Sequence, residues 1–124
     1  MATMTQSLED YIEAIFVLIR DGGSACVRDV ARMLDVKMPS VVKAIHELKK
    51  LELATQEPYS SIELTAKGRR LAKMVLGRHT LLCSFLQKLG VSAKTADVDA
   101  CRMEHILSAE TLERIRTYTE TERK

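Results

Sequence analysis

Two apolar-periodic segments on either side of a short break constrain this chain more than any other feature. The first, "VRDVARMLDV", places Val27, Val30, Ala31 and Leu34 on one face at helical spacing. After the break "VKM" comes "PSVVKAIHELKKLEL". Its inward positions are Val41 or Val42, Ile45, Leu48 and Leu51, and Pro39 suits a first helical turn. A short helix, a tight turn and a longer helix opened by small polar residues form the pattern of a helix-turn-helix.

The flanking segments extend that pattern. Upstream, "LEDYIEAIFVLIR" keeps a helical period until "DGG", with Ser7 as a fitting N-cap and Asp10 three residues on as a weaker capping box. Downstream, "LATQEPYSSIELT" has two short β-leaning pieces about a "PYSS" turn, the composition of a wing. "TAKGRRLAKMVLGR" then reads as a basic helix, with Lys67, Arg69, Arg70, Lys73 and Arg78 and no acid among them. The period continues through "HTLLCSFLQKLG", closed by Gly90 as a C′ residue. Ser92 or Thr95 caps the next helix, and a short amphipathic helix from Ser108 leads into a polar tail. The expected fold is all-α with a small β-wing: a winged helix-turn-helix over residues 1–76, then a helical region over 77–124.

Composition agrees. The chain has no Trp and only 4% aromatic residues, so its core must be largely aliphatic. No apolar run is long enough to cross a bilayer, and "MATMTQSLED" lacks the parts of a secretion signal, so a cytoplasmic protein without a membrane partner is expected. Three cysteines are an odd number without a disulfide framework. The net charge of +2 is too small to identify a nucleic-acid binder by itself. A winged helix beside a basic helix is nevertheless a footprint for double-stranded DNA. Ser40 and Lys43 lie near the end of the recognition helix where side chains reach base edges, and Lys37, Lys49 and Lys50 suit phosphates. Arg69 and Arg70 fit a phosphate contact or a solvated face equally well.

"CRMEHILS" carries the most specific chemistry. Cys101, Glu104 and His105 stand at i, i+3 and i+4, one face of what reads as a helix. Taken alone, they are equally well a buried thiol beside two solvated polar groups. Asp10 and Glu13 share a face of the first helix, where a solvated face is the ordinary reading, and a lone His79 is ordinarily a surface or capping residue. Together the three clusters offer carboxylate, imidazole and thiolate donors from three helices. A carboxylate-rich set with one soft sulfur suits an exchangeable first-row divalent ion such as Fe(II) or Mn(II), with Zn(II) or Co(II) as substitutes in vitro.

The order "SLEDYIEAIFVL", helix-turn-helix, wing, "GRHTLL" and "ACRMEHILS" resembles the family of the diphtheria toxin repressor and the manganese transport regulator, from about Ser7 to Arg116. The resemblance implies a homodimeric, metal-activated transcriptional repressor controlling metal-homeostasis genes, with residues 77–124 as metal-binding and dimerisation region. It implies that Asp10, Glu13, His79, Cys101, Glu104 and His105 are metal ligands, and that Pro39 falls on a family position in the recognition helix. Asp10 and Glu13 resemble the manganese branch, whereas Cys101 resembles the iron branch. At positions of the iron branch's second metal site stand Cys83 and Asp97, altered ligands there; by its own surroundings Cys83 reads as a small core residue, and Cys26 also reads as structural. The SH3-like third domain of the iron branch is expected to be absent. A pseudo-palindromic operator follows from the two-fold dimer, and an ion tying the first helix to those bearing His79 and Cys101 would set the spacing of the DNA heads.

Two other classes compete with this reading. A thiol-based redox regulator would use Cys83 or Cys101, and needs an exposed thiol of low pKa. An enzyme is not expected, since the chain has no His-Glu-x-x-His helix, nucleophile elbow or phosphate loop.

Overall fold

The computed structural model describes residues 6–58 and 60–121. The expected features that fall elsewhere, the N-terminal "MATMT", Tyr59 of the wing turn and the last residues of the polar tail, lie outside the described residues. The chain divides into two compact units, Met1–Met74 and Val75–Lys124.

The first unit opens with α1 (Gln6–Arg20), α2 (Val27–Leu34) and α3 (Met38–Lys50). A two-stranded antiparallel wing follows, β1 (Ala54–Thr55) and β2 (Glu63–Leu64), pairing Ala54 with Leu64 and Thr55 with Glu63. An isolated bridge between Ala25 and Ile62 ties the wing to the loop before α2. The last helix to begin in this unit is α4 (Ala66–Lys88). One aliphatic core holds these elements: Ile12 and Ile15 from α1, Val30 from α2, Val41 and Leu48 from α3, and Ile62 beside the wing are all essentially solvent-free. Burying each such side chain contributes roughly 1.5–3 kcal/mol.

The turn between α2 and α3 is built on Asp35, which ends α2 in the left-handed region at φ 54°, while Val36 N donates to Ala31 O at 3.0 Å. That closure directs α3 away within three residues. The choice between Val41 and Val42 is resolved: Val41 is fully buried and Val42 is 55% exposed. Ser7 lies inside α1 and not ahead of it, because the helix already includes Gln6.

Gly68, in the first turn of α4, touches the backbone before the wing. A Cβ there would stand 2.0 Å from Leu53 O, so only glycine fits. Leu53 is anchored in turn, since its N–H donates to Leu48 O and its carbonyl accepts from Thr65 N.

In the second unit α4 ends at Lys88, and Gly90 follows in the left-handed region at φ 98°. α5 (Ala93–Met103) is capped by Ser92, whose Oγ accepts from Thr95 N, and α6 (Ala109–Thr121) by Ser108, whose Oγ accepts from Thr111 N. "CRMEHILS" is therefore not one helix. α5 stops at Met103 with Glu104 as its C-cap, because the chain must turn over Glu104–Leu107 for Ser108 to open α6. Among the described residues no helix is long and apolar enough to cross a membrane.

Candidate functional site

The second unit gathers its chemistry around His79, on α4. The imidazole Nδ1 lies 3.2 Å from Glu104 Oε2, and its Nε2 lies 2.8 Å from Asp97 Oδ1 on α5. Glu104 is fully buried, and its other oxygen lies 3.3 Å from His105 Nε2. A carboxylate removed from water costs several kcal/mol unless charge or hydrogen bonds compensate it, so the position of Glu104 between two imidazoles is a strong constraint. The end of α5 makes it: as C-cap, Glu104 turns inward, and His105 follows in the turn. Cys101 sits half-buried one helical turn earlier on α5.

His79 faces acidic oxygen at both ring nitrogens, yet a neutral imidazole has only one N–H to give. A neutral ring can donate at one side and offer a lone pair to a cation at the other, the arrangement by which a second carboxylate orients a metal-ligating histidine. The donors suit a first-row divalent ion: nitrogen and oxygen atoms a few ångströms apart, partly shielded from water, with a thiol on the same helix turn.

A second group overlaps the first. His79, Cys83 and Asp97 each offer a ligand atom, all within 4.8 Å of one another. Cys83 is thus more than the core residue its apolar surroundings suggested. It is half-buried one turn along α4, with Sγ 3.5 Å from His79 Nε2 and 3.7 Å from Ala96 O. The spacing of His79 and Cys83 at i and i+4 was legible in sequence, and the family resemblance sets Cys83 and Asp97 at a second metal site; the approach of Asp97 to His79 has no local signal of its own.

Burial, then the Asp97 and Glu104 carboxylates, push the Cys83 thiol above its ordinary pKa. The thiolate is the reactive form, so this environment opposes a redox sensor at Cys83. In metal-free protein carrying Cys26→Ala and Cys101→Ala, iodoacetamide at pH 7 is expected to modify Cys83 several-fold more slowly than free cysteine, with the rate still rising above pH 9. A rate equal to that of free cysteine would restore the redox reading.

In the first unit, Asp10 and Glu13 stand half-buried one turn apart on α1. Lys37 caps α3, Pro39 lies in its first turn, and Ser40, Lys43, Lys49 and Lys50 are exposed along it. Two exposed residues of α3, Met38 and His46, carried no signal in the sequence beyond their helical position.

Two known protein families match the chain. Residues 3–62 match the family described as "Iron dependent repressor, N-terminal DNA binding domain", and residues 65–123 match "Iron dependent repressor, metal binding and dimerisation domain". The chain is 38% identical over 119 residues to an uncharacterised HTH-type transcriptional regulator of Methanocaldococcus jannaschii, covering 94% of this chain and 95% of that one. It is 40% identical over 111 residues to the HTH-type transcriptional regulator MntR of Bacillus subtilis, covering 90% and 78%. Among solved structures it resembles the manganese regulator SloR, with TM-score 0.83 and 26% identity, covering 94% of this chain and 55% of that one. It also resembles IdeR of T. acidophilum, with TM-score 0.76 and 29% identity, covering 93% and 54%; the chain thus spans about half the length of both. The chain belongs to the iron-dependent repressor family, the diphtheria toxin repressor and MntR group of metal-dependent, DNA-binding transcriptional regulators, which are not enzymes.

Proposed function

We propose that this protein senses Mn(II) or Fe(II) in the cytoplasm and, as a homodimer on a pseudo-palindromic operator, represses genes of metal homeostasis. The observation that carries the reading is the fully buried Glu104 carboxylate between the His79 and His105 imidazoles. Those three residues and Cys101 are the proposed ligands of the second unit; Asp10 and Glu13 join them as the family resemblance implies. A bound divalent ion would add positive charge beside the buried Glu104 carboxylate and so help to offset its desolvation. Glu104 and His105 hold the donor atoms, and Asp97 fixes the His79 ring by accepting its remaining N–H.

On the DNA side, Ser40 and Lys43 are assigned to base edges and Lys37, Lys49 and Lys50 to phosphates, with Pro39 setting the start of the helix that presents them. If metal and operator both favour one conformation, each raises affinity for the other by the same factor. The mixed donor set fits either ion: carboxylates suit Mn(II), and the Cys101 sulfur favours Fe(II).

The test is fluorescence anisotropy on a duplex carrying the region upstream of the protein's own gene, anaerobic and at fixed salt, first with chelator and then with Mn(II), Fe(II), Co(II) or Zn(II). Binding is expected only with metal; equal affinity in chelator overturns the reading. Cys101→Glu, which exchanges a soft donor for a hard one, is expected to move the ranking toward Mn(II). An unchanged ranking would remove Cys101 from the ligand set.

A further inference from the structure

The first unit carries a groove that metal sensing leaves unused. It opens between the end of α1, the wing and the first turns of α4, and holds about 480 Å³. Phe16, Ile19 and Leu64 give it an apolar lining, and Arg20, Arg69 and Lys73 stand around them. Leu64 is buried, Phe16 is half-buried and Ile19 is 39% exposed. The helical period explains the opening: Ile12 and Ile15 of α1 enter the core, whereas Ile19, one turn beyond Ile15, continues the same stripe past the core's edge as α1 ends at Arg20. Size and lining both match small-molecule sites, which pair apolar walls with a few convergent polar groups.

The charge around the groove is one-sided. Its three cations face a single acid, the exposed Glu63. Among the described residues the Lys73 ammonium has no ion-pair or hydrogen-bond partner. Arg20 is held only by its neighbour Asp21, Nε to Oδ1 at 3.1 Å, an exposed pair of the kind that contributes little. Arg69 donates from Nη1 to Leu64 O at 2.9 Å, which ties its guanidinium to β2 and leaves its other N–H groups to give. A neutral apolar molecule would leave these cations unused, and a cation would be repelled by them. An apolar body with one negative group satisfies both the lining and the rim.

We infer that this groove binds a small amphipathic carboxylate, its apolar body on Phe16, Ile19 and Leu64 and its anionic group at Lys73 and Arg69. The bound molecule bridges α1 to the second strand of the wing, and so gives the DNA-binding unit an input separate from the metal-binding residues. The inference goes beyond the metal-sensing reading and does not depend on it.

The experiment titrates the full chain, metal-free and at low salt, with octanoate, octanol and octylammonium, and with 2-naphthoate as an anion of flat aromatic body, following backbone amide shifts by NMR. Octanoate or 2-naphthoate is expected to bind about tenfold more tightly than octanol, with octylammonium weakest, and to shift residues of α1, β2 and the start of α4. The tighter of the two anions gives the shape of the body, chain or ring. In Lys73→Glu the preference for anion over octanol is expected to fall to about twofold or less. Ile19→Ser is expected to weaken octanoate and octanol alike, about fivefold, because it removes apolar contact and no charge. Both positions are exposed, and helix content by circular dichroism checks that the variants fold. The inference is overturned if no anion saturates, if neither binds more tightly than octanol, if Lys73→Glu keeps the full preference, or if the shifts fall instead on Phe85 and Tyr118 in the second unit. None of those results touches metal-dependent DNA binding, which is read separately by anisotropy.

Discussion

Glu104→Ala is expected to lower metal affinity by at least about 100-fold, the upper end of what is lost with partners that merely support a ligand. Metal-dependent DNA binding should vanish with it. The reason is the placement of the carboxylate, fully buried with His79 Nδ1 at 3.2 Å and His105 Nε2 at 3.3 Å. Without it, the two imidazoles lose the fully buried carboxylate between them, and a divalent ion entering there leaves water with less charge to compensate it. Calorimetric titration of Mn(II), with helix content checked by circular dichroism, measures the effect. A loss of affinity under tenfold with helix content intact would reduce Glu104 to a structural role, its charge serving only the pair of histidines.

Gly68→Ala should be the most damaging single methyl group in the DNA-binding unit. The added Cβ would fall 2.0 Å from Leu53 O, a backbone atom that cannot rotate away, and Leu53 is held by hydrogen bonds to Leu48 and Thr65. Overpacking of this kind costs about 3 kcal/mol. For a unit of this size that is a fall of roughly 10–20 °C in Tm. Gly77→Ala, in the same helix with nothing within 4 Å of its added Cβ, is the control and should be neutral or stabilising. Equal melting of the two variants would mean that α4 shifts to accommodate residue 68.

The helices of the first unit were legible because apolar period alone fixes them: Ile12, Ile15, Val30, Ile45 and Leu48 fall on the inward face in sequence and in structure. The wing was legible from turn chemistry around "PYSS". The boundary at Met103 was not, because nothing in "CRMEHIL" breaks a helix; Ser108 was legible as the start of the next helix, but not the four-residue turn that precedes it. Nor could spacing decide between Val41 and Val42, since neighbouring valines satisfy the same period to within one position. The metal-binding chemistry divides in the same way. Cys101, Glu104 and His105 announce themselves by proximity in sequence, whereas Asp97 reaches His79 from 18 residues away, and only the family resemblance, no local pattern, points to Asp97. Lone carboxylates, thiols and imidazoles acquire meaning only when a tertiary contact adds the next donor.

The two adjacent valines of α3 have one further consequence. Val41 is sealed in the core while Val42, the very next residue, faces outward. Identical side chains joined by one peptide bond therefore answer to different judges over evolutionary time. Drift at position 41 is limited by volume and is punished in every cell, whatever DNA is present. Drift at position 42 is tolerated by the fold, so the outward face of α3 can change its chemistry without any change in the scaffold that carries it.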